Sequence, residues 1–481
     1  MVGITGFGSY LPYFRFERKK WVEAWGMDSL ASLMIGERTV ANFDEDTVTM
    51  AVEAALDCLN GADPKNVGAL YFASTTSPYA EKLCASLISR VCDLDETIRT
   101  ADFAGSLRSG TSALMAALDL VKSGGAKNAI VTAADIRLSD PRHYMEAMMG
   151  DCAGAIMVGD ENVLLELDGM ISLAREFTDT WRRSEEQTVR YGEEKFSSVY
   201  GYMSTVPKAL AKLLETTKTP PEKVAKVVVY APEGASYMAL AKRSGFPQLF
   251  NQDPLLMNAG NAGSASVLLQ LAQVIPQLKP GDKLVAVGYG EGADAFLFTA
   301  TDKVSQTNGH AKVGDWVKSK AALNHYPKIL YYREQLKRQT PLFEFNPYTS
   351  LAEMRKEETE MLPLYGQKCS KCGEIIYPLK RVCPYCHAKD AGEPFKLAHK
   401  GKVFSFVKDH VFPNPESPTP MVVIDLDGGG RMLCQMTDFA EKDLEVGMEV
   451  ELTYRKIHEG RGFNNYFWKA RPTRVSNLKN G

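Results

Sequence analysis

The sequence predicts an α/β protein whose first domain is duplicated and whose last part is a small all-β tail. Three observations carry this prediction. The first 303 residues alternate strand-like apolar runs with helical stretches, a pattern typical of helices packed on the faces of a largely parallel sheet. Two stretches of that region resemble each other, and two C-x-x-C pairs introduce a tail of short strands. We therefore expect two structural classes within one chain.

The strands and helices of the first region follow one another in order. The strand-like runs are "NVGALYFAST", "NAIVTAAD", "AKVVVYAP" and "KLVAVGYG". The helical stretches carry apolar residues at helical spacing and are "EDTVTMAVEAALDCLN", "SALMAALDLVKSG", "VPKALAKLLETT" and "ASVLLQLAQVIPQL". This alternation places the region in the α/β class.

An internal repeat indicates that the region is built from two similar halves. "SGTSALMAALDLVKSGGAKNAIV" from Ser109 and "AGSASVLLQLAQVIPQLKPGDKLVAV" from Ala262 both contain a small-residue turn, a helix, a glycine turn and a strand. "GDCAGAIMV" and "GEGADAFLF" then share a pattern of glycine, an acid and alternating alanines. Two matches in the same order favour a duplication, with a cleft where the equivalent turns meet. The acids Asp151 and Glu291 occupy equivalent places, which favours a shared structural role.

The chain divides by composition into four parts. After the duplicated region the sequence becomes charged, helix-prone and weakly apolar, as in a helical linker with one or two docking helices. The remainder contains short strand runs and a Gly-Gly-Gly hairpin, which favour a five-stranded barrel of the OB type. The predicted parts are 1–303, with halves of about 1–165 and 166–303, then the linker 304–365, a metal ribbon 366–395 and an OB-fold 396–481.

Bulk composition excludes several classes of function. The chain has 481 residues, 45% hydrophobic content and a net charge of −3, so nothing points to nucleic acid or an anionic membrane as a partner. No apolar run reaches the length of a membrane span, and the N-terminus does not resemble a signal peptide. We expect a cytoplasmic protein. Of seven histidines only His143 lies in the first 303 residues, and we interpret it as a surface or interface residue.

Four of the nine cysteines form the most specific motif in the chain. "CSKCGEIIYPLKRVCPYC" is C-x2-C-x10-C-x2-C, and each C-x-x-C turn directs two sulfurs at one point. The motif predicts a structural zinc site, or an iron site, without room for substrate. Redox use of the pairs is the weaker alternative, and the adjacent His387 is interpreted as a bystander. The predicted ligands are Cys369, Cys372, Cys383 and Cys386.

A second motif resembles a catalytic turn but lacks a nucleophile. In "DFAGSLRSGTSALMAAL" a strand ends, a Gly/Ser turn follows, and a helix begins near Ser109. Turns of this type hold a side chain at the mouth of a pocket beside free backbone N–H groups. The side chains that this turn offers are Ser106 and Leu107, and a leucine cannot attack a substrate.

Several motifs together resemble a known family. "MVGITGFGSYLPYFRF", "NFDEDTVTMAVEAA", "GDCAGAIMVG", "APEGASYMALAKRSGF", "NAGNAGSAS" and "GYGEGADAFLFT" are similar to the hydroxymethylglutaryl-CoA synthase branch of the thiolase superfamily, over residues 1–303. The tail from residue 366 resembles the zinc-ribbon and OB-fold proteins that accompany thiolases and such synthases. The resemblance implies a duplicated thiolase-type αβαβα domain, a rubredoxin-like ribbon, a small β-barrel, and a coenzyme A thioester as ligand or substrate.

The family's reaction uses a cysteine nucleophile, a histidine, a glutamate and an asparagine, and these roles can be placed on this chain. The nucleophile falls on Leu107 and the glutamate falls on Thr75. The histidine falls on Tyr230, and the asparagine alone matches, as Asn261. The resemblance thus implies an inherited turn whose covalent step this chain does not perform.

Two hypotheses follow. In the first, the chain is an acyl-CoA-binding subunit that has lost its catalytic set, forms a dimer through the thiolase-like domain with a competent thiolase or synthase chain, and uses the tail to help hold CoA. In the second, the chain acts alone as an acyltransferase of the synthase type, or as a non-covalent decarboxylase or lyase, through displaced groups.

The displaced groups available to the second hypothesis each have a simpler interpretation. Ser106 is a weak nucleophile without a histidine base, and turn chemistry explains it equally. Tyr230 and Glu233 could form an acid/base pair or only shape a loop. Asn261 could bind a thioester oxygen or cap the following helix. The stretch with Trp181, Arg182 and Arg183 resembles the region that lines the family's cleft, although paired arginines are more often solvated.

Overall fold

The computed structural model describes residues 1–245, 247–251, 253–306, 310–336, 350–412, 414–439 and 443–474. Twenty-two strands lie in these ranges. They are β1 Gly3–Tyr10, β2 Phe14–Glu17, β3 Glu37–Val40, β4 Val67–Ala73, β5 Arg99–Phe103, β6 Asn128–Asp135, β7 Cys152–Gly159, β8 Leu165–Ala174, β9 Thr180–Trp181, β10 Arg190–Tyr191, β11 Val224–Val229, β12 Lys283–Tyr289, β13 Gly292–Ala300, β14 Ala321–Ala322, β15 Tyr365–Cys369, β16 Ile375–Ile376, β17 Gly392–Lys396, β18 Lys400–Asp409, β19 Thr419–Leu426, β20 Arg431–Gln435, β21 Glu449–Gly460 and β22 Phe463–Pro472.

Thirteen α-helices accompany these strands in the described ranges. They are α1 Arg18–Trp25, α2 Thr47–Cys58, α3 Cys84–Val91, α4 Ser109–Lys122, α5 Tyr144–Met148, α6 Glu194–Phe196, α7 Met203–Thr216, α8 Gly234–Arg243, α9 Ser266–Val274, α10 Val313–Lys318, α11 Tyr326–Tyr332, α12 Leu351–Lys356 and α13 Glu358–Met361. None of these helices has the length and apolar character that crossing a bilayer requires.

The central sheet confirms the duplication. Its strand order is β11-β12-β13-β8-β1-β7-β6-β4-β5, and the two halves meet where β1 pairs with β8. β8, β11, β12 and β13 repeat the order of β1, β4, β6 and β7. β5 has no full counterpart in the second half, where a single bridge from Val227 to Phe250 takes its place.

The expectation of a largely parallel sheet is wrong. β4 runs parallel to β5 and β6, and β11 runs parallel to β12, but the other neighbouring strands of the central sheet are antiparallel. The reason is that β7 and β13 return directly beside β6 and β12, without the crossover helix that a parallel neighbour requires.

Helices lie on the two outer sides of the domain and also form a central layer between its halves. α2 packs on β1, β6 and β7 from outside, and α7 packs in the same way on β8, β12 and β13. α4 and α9 contact each other and strands of both halves, so they lie between the halves. Their first turns approach closely, because a Cβ on Gly110 would lie 2.3 Å from the carbonyl oxygen of Ser264. The structure therefore has the predicted αβαβα layers, with the equivalent turns adjacent.

The predicted linker is built into the first domain over much of its described length. β14 adds to the small sheet of β2 and β3, and α11 packs its apolar side against Phe16 and Trp21. Arg333, at the end of α11, forms a buried ion pair with Asp151. Residues 337–349 of the linker lie outside the described residues.

The tail forms a ribbon and a barrel. β16, β15 and β17 make the ribbon sheet, and the barrel sheet has the order β20-β19-β18-β21-β22. A parallel bridge between Met436 and Ala470 brings the end of β20 to β22 and closes the barrel. The five predicted strands of the OB-fold are therefore present.

The barrel docks on the first domain through a cluster of buried charges, here called the docking cluster. Its cations come from the barrel, and three of its five carboxylates lie just before α2 or within it. Arg455 contacts Glu45 and Asp438, each at 2.6 Å, and Arg471 contacts Glu53 at 2.8 Å. The members are Asp44, Glu45, Glu53, Asp438, Glu451, Arg455, Lys469 and Arg471.

His399, just before β18, predicts a loss of stability in mild acid. Its ring packs 4.4 Å from the ring of Trp468, and its Nε2 atom is buried without a hydrogen-bond partner among the described residues. Burial lowers the pKa of His399 to about 3, from 6.5. The unfolded chain therefore binds the proton first as the pH falls below about 6.5, and the free energy of unfolding falls with it.

Between pH 6.5 and 5 we expect the free energy of unfolding to fall by up to about 1.4 kcal/mol per pH unit. Urea unfolding at both pH values measures it. His399→Gln, which carries no titrating proton, should reduce the difference, whereas His410→Gln at an exposed position of the same barrel should leave it unchanged. Equal pH dependence of the wild type and His399→Gln would refute this assignment.

Candidate functional site

The elbow after β5 forms as the sequence indicates. Gly105 has a φ of +84°, a left-handed conformation that favours glycine, and α4 begins four residues later at Ser109. The amide of Ser109 donates to the carbonyl oxygen of Ser106 (3.0 Å), which tightens the turn. Leu107 is half-buried, and its side chain packs against the core while lining a cleft. The presenting position is thus occupied by a hydrocarbon.

The cleft lies between the elbow, the end of β4 and the turn that joins β12 to β13. Its volume is about 440 Å³. Neither cysteine nor histidine occurs among the described residues that line it. Those that bear on its chemistry are Thr75, Ser106, Leu107, Arg137, Trp181, Arg182, Arg183 and Glu291.

Ser106 is paired with a carboxylate from the other half of the domain. Its Oγ donates to Glu291 Oε2 at 2.6 Å. The close approach depends on Gly290, because a Cβ there would lie 2.6 Å from Ser106 Oγ. Burial raises the pKa of Glu291 above its ordinary value, and the hydrogen bond from Ser106 opposes that rise. Among the described residues that line the cleft, Ser106 and Glu291 come closest to forming an acid/base pair.

Glu291 corrects the expectation of a role shared with Asp151. Asp151 is fully buried, accepts from the amide of Ala41 (2.8 Å) and pairs with Arg333. Glu291 instead faces the cleft and holds Ser106. The two acids are equivalent in sequence, but α11 covers only the first, so their surroundings differ. The repeated glycine-acid pattern was the signal that could have placed Glu291 at the site.

Tyr230 and Asn261 meet, but behind the cleft. The Nδ2 of Asn261 donates to Tyr230 Oη and to the carbonyl of Pro232, both at 3.0 Å. Its Oδ1 accepts from the amide of Gly263 at 2.9 Å. Both side chains are buried, and burial raises the pKa of Tyr230. Asn261 therefore orders the turn before α9, but it does not cap that helix, whose N-cap residue is Ala265.

Glu233 is not brought to Tyr230. It precedes α8, accepts from Ser236 Oγ at 3.2 Å, and does not line the cleft. The structure therefore does not assemble the Tyr230–Glu233 pair considered for a non-covalent reaction. The two residues lie close together in the loop between β11 and α8, but Tyr230 points into the core because it continues the buried face of β11.

Thr75 lines the cleft at the end of β4. Its amide donates to Asp135 Oδ1 at 2.7 Å. Its Oγ1 atom is buried with no hydrogen-bond partner in the described part of the chain. A hydroxyl can donate one proton to a ligand but cannot replace a carboxylate as a base at neutral pH. The position retains polarity without acid/base strength.

The mouth of the cleft carries an aromatic ring and two cations. Trp181 is 44% exposed, and both arginines after it are exposed as well. Arg182 donates to the carbonyl oxygen of Thr75 at 2.8 Å, which fixes it beside the end of β4. The structure thus brings this predicted group to the cleft.

The barrel reaches the rim of the same cleft. The amide of Asn464, on β22, donates to Tyr79 Oη at 2.9 Å, and the ring of Phe463 lies 6.0 Å from that of Tyr79. Tyr79 lines the cleft. The β21–β22 hairpin therefore borders the cleft of its own chain, a contact that composition could not reveal.

His143 has a local structural role. Its Nδ1 accepts from the amide of Met145 at 3.3 Å, which caps α5, and its ring stacks on Tyr191 at 4.7 Å. It does not line the cleft.

The four predicted cysteines converge at one point. Their Sγ atoms all lie within 4.8 Å of one another, with 3.7 Å between those of Cys369 and Cys386 and 3.6 Å between those of Cys372 and Cys383. A tetrahedral zinc ion with Zn–S bonds of about 2.3 Å requires sulfurs roughly 3.8 Å apart, so the donor set fits that metal. His387 follows the last ligand with a left-handed φ and is not part of the cluster.

Comparisons with known proteins agree with this architecture. Residues 364–390 match the family model of the ChsH2 rubredoxin-like zinc ribbon domain, and residues 396–455 match that of the ChsH2 C-terminal OB-fold domain. Among curated proteins, the chain is similar to the hydroxymethylglutaryl-CoA synthases of Methanocaldococcus jannaschii and Methanosphaera stadtmanae. Identity is 32% over 365 residues to the first (74% of this chain and 99% of the relative) and 30% over 345 residues to the second (70% and 99%).

Solved structures show the same fold at lower identity. MvaS in complex with 3-hydroxy-3-methylglutaryl coenzyme A has a TM-score of 0.63 and 21% identity, over 71% of this chain and 93% of that one. A 3-oxoacyl-[acyl-carrier-protein] synthase III from Aquifex aeolicus VF5 has a TM-score of 0.55 and 20% identity, over 62% and 100%. The duplicated layers and the elbow at a cleft define a thiolase-type protein. With the curated relatives, they show that the chain belongs to the hydroxymethylglutaryl-CoA synthase family and carries a ChsH2-type ribbon and OB-fold.

Proposed function

We propose that this chain binds an acyl-CoA thioester without forming an acyl-enzyme and supports a competent thiolase or synthase chain in forming or cleaving a C–C bond. The observation that carries the proposal is Leu107 at the presenting position of the elbow. Covalent acyl transfer from a thioester requires a nucleophile there, and a hydrocarbon supplies none. In this proposal Thr75 and Tyr230 also stand where the family's reaction uses a glutamate and a histidine.

The remaining thiols do not replace the missing nucleophile. Cys84 and Cys152 are buried, and neither lines the cleft. Burial raises the pKa of Cys152 to about 12 and also raises that of Cys84, so neither supplies thiolate near neutral pH. This supports an unreactive cleft.

The cleft retains features suited to coenzyme A. Arg182 and Arg183 at the mouth can pair with phosphate oxygens, and the exposed ring of Trp181 offers a stacking surface for a base. An HMG-CoA synthase of known structure, solved in complex with CoA, superposes on 73% of this chain and 95% of its own. The TM-score is 0.61 and the sequence identity is 19%. In our proposal the β21–β22 hairpin helps to close the same cleft.

A partner chain has an available place to dock. β5 is an edge strand that pairs only with β4 among the described residues, and most of its residues are partly exposed. Edge strands expose unpaired N–H and C=O groups that can bind a strand of another chain. We propose a dimer formed at this edge, in which the partner supplies the cysteine and histidine.

One observation favours a second candidate function. The 2.6 Å hydrogen bond from Ser106 to Glu291 gives the serine a base that histidine does not provide. In that alternative, Glu291 takes the Ser106 proton while Oγ attacks the thioester carbon, then returns it to the departing sulfur. The chain would then act alone and carry an acyl-serine.

Intact mass spectrometry separates the two candidates. The isolated chain, incubated with acetyl-CoA, is expected to gain no acetyl group. Leu107→Cys is the positive reference, because a thiol at the elbow just before the N-terminus of α4 can exchange with thioesters. An adduct on the wild type that disappears in Ser106→Ala would overturn the proposal and establish the second candidate.

A further inference from the structure

The four cysteines of the ribbon are divided between a buried and an exposed side. Cys369 and Cys383, the first cysteine of each C-x-x-C pair, are buried. Cys372 and Cys386, the second cysteine of each pair, are exposed. The side of the cluster that faces solvent therefore presents one cysteine from each pair, and these two cysteines belong to different turns of the chain.

The exposed cysteines can form a disulfide after a small movement. All four Sγ atoms lie within 4.8 Å of one another, whereas an S–S bond is about 2.0 Å long. The turns that carry Cys372 and Cys386 are themselves exposed, over residues 370–374 and 384–387. Gly373 is surrounded by open space, because a Cβ there would meet no atom within 4 Å. The two turns can therefore approach each other without displacing a packed core.

The ribbon depends on its metal more than on its apolar core. That core consists of only Cys369, Ile376 and Cys383. In small modules of this kind, metal binding supplies the free energy of folding. A cluster that keeps two of its four thiolates no longer offers the tetrahedral sulfur set of a structural zinc site. Chemistry at the exposed pair therefore decides whether the whole ribbon stays folded.

The ribbon also makes contacts with the rest of the chain that a change in its fold would break. Tyr365 Oη on β15 donates to Asp93 Oδ2 at 2.9 Å, and Lys396 Nζ on β17 lies 3.2 Å from the same oxygen. The amide of Leu379 donates to Glu360 Oε2 on α13 at 2.8 Å. These contacts lie outside the docking cluster, so they can open while the barrel stays docked.

We propose that the ribbon is a redox-sensitive switch, in which a hydroperoxide oxidises Cys372 and Cys386 to a disulfide, the cluster loses its metal, and the contacts of the ribbon with the first domain and α13 open. This switch does not depend on the ligand of the cleft.

The oxidation takes two steps when the hydroperoxide is hydrogen peroxide. One thiolate sulfur attacks a peroxide oxygen, the O–O bond breaks, and a sulfenic acid forms while the departing hydroxide takes a proton from solvent to become water. The second thiolate attacks the sulfenic sulfur, which forms the S–S bond and expels a second hydroxide that is protonated in the same way. The two sulfurs lose two electrons and the peroxide gains them. A thiol reductant reverses the change.

Zinc release and disulfide mapping on the full chain test the switch. The zinc-loaded protein is treated with hydrogen peroxide, released zinc is followed with a chromophoric chelator, and peptide mass spectrometry locates the disulfides. We expect one equivalent of zinc to be released as one disulfide forms between Cys372 and Cys386. Dithiothreitol with added zinc should restore the starting state. In the oxidised protein the segment from β15 to β17 should become sensitive to protease, whereas the barrel should stay resistant.

Two variants separate the exposed pair from the other thiols. Three cysteines and one histidine also hold structural zinc, so Cys386→His is expected to retain the metal. It lacks the second exposed thiolate, so its zinc release by peroxide should be roughly ten-fold or more slower than that of the wild type. Cys434→Ser removes a buried cysteine outside the cluster and should release zinc as fast as the wild type.

Three results would overturn the switch. The first is zinc that stays bound while peroxide oxidises other thiols of the chain. The second is a disulfide confined to one C-x-x-C pair, or oxidation that dithiothreitol does not reverse. The third is release of zinc from Cys386→His at the rate of the wild type. Should that variant fail to fold, the disulfide located in the wild type decides the question.

Discussion

Replacing Cys383 with serine is expected to remove the bound metal and unfold the ribbon. Cys383 is buried, and its Sγ atom lies 3.6 Å from that of Cys372. The ribbon has a core of only Cys369, Ile376 and Cys383, so apolar burial alone cannot hold it. Structural zinc contributes about 10–16 kcal/mol in small zinc modules, which makes this the largest effect that we expect from a single substitution.

Metal analysis and limited proteolysis measure this effect. The wild type is expected to hold one equivalent of zinc and to resist cleavage between β15 and β17. Cys383→Ser, or treatment with a strong chelator, should remove both properties. Cys434→Ser changes a buried cysteine of the barrel outside the cluster and should retain the zinc. A full equivalent of zinc on Cys383→Ser would contradict the assignment.

Replacing Arg455 with methionine is expected to lower the free energy of unfolding by about 3–5 kcal/mol, because it leaves buried carboxylates without their cation. Arg455 is fully buried and contacts Glu45 and Asp438, each at 2.6 Å. It also contacts Asp44 at 3.4 Å. A methionine fills much of the same volume, so the measured loss reports mainly on charge.

The matched substitution is Arg381→Met. Arg381 also forms two hydrogen bonds to one aspartate, Asp390, but both side chains are exposed. Exposed pairs contribute about 0–1 kcal/mol, so this variant should unfold close to the wild type. Urea denaturation of the two variants gives the comparison. A loss below about 1 kcal/mol for Arg455→Met would show that water or rearrangement compensates the docking cluster.

Much of the fold could be predicted from the sequence because its signals are local. The repeated turn-helix-turn-strand pattern predicted α4 and α9, and their adjacent first turns confirm the duplication. Cysteine spacing predicted the ribbon, and strand-length apolar runs predicted the five strands of the barrel. These features depend on spacing within about thirty residues, which a sequence displays directly.

The parts that could not be predicted depend on contacts between distant residues. Ser106 and Glu291 are 185 positions apart, and their hydrogen bond exists because two halves of the domain close on one cleft. Arg137 in the sequence is an ordinary arginine after a strand. Its burial at the wall of the cleft is visible only in the packed structure.

The docking cluster limits how this chain can be divided. A fragment ending before the linker would retain Asp44, Glu45 and Glu53 without the three barrel cations that face them. An isolated barrel would expose those cations beside Asp438 and Glu451. The two parts are therefore not separable modules. A substitution that reverses a charge on the first domain requires a compensating change of charge on the barrel.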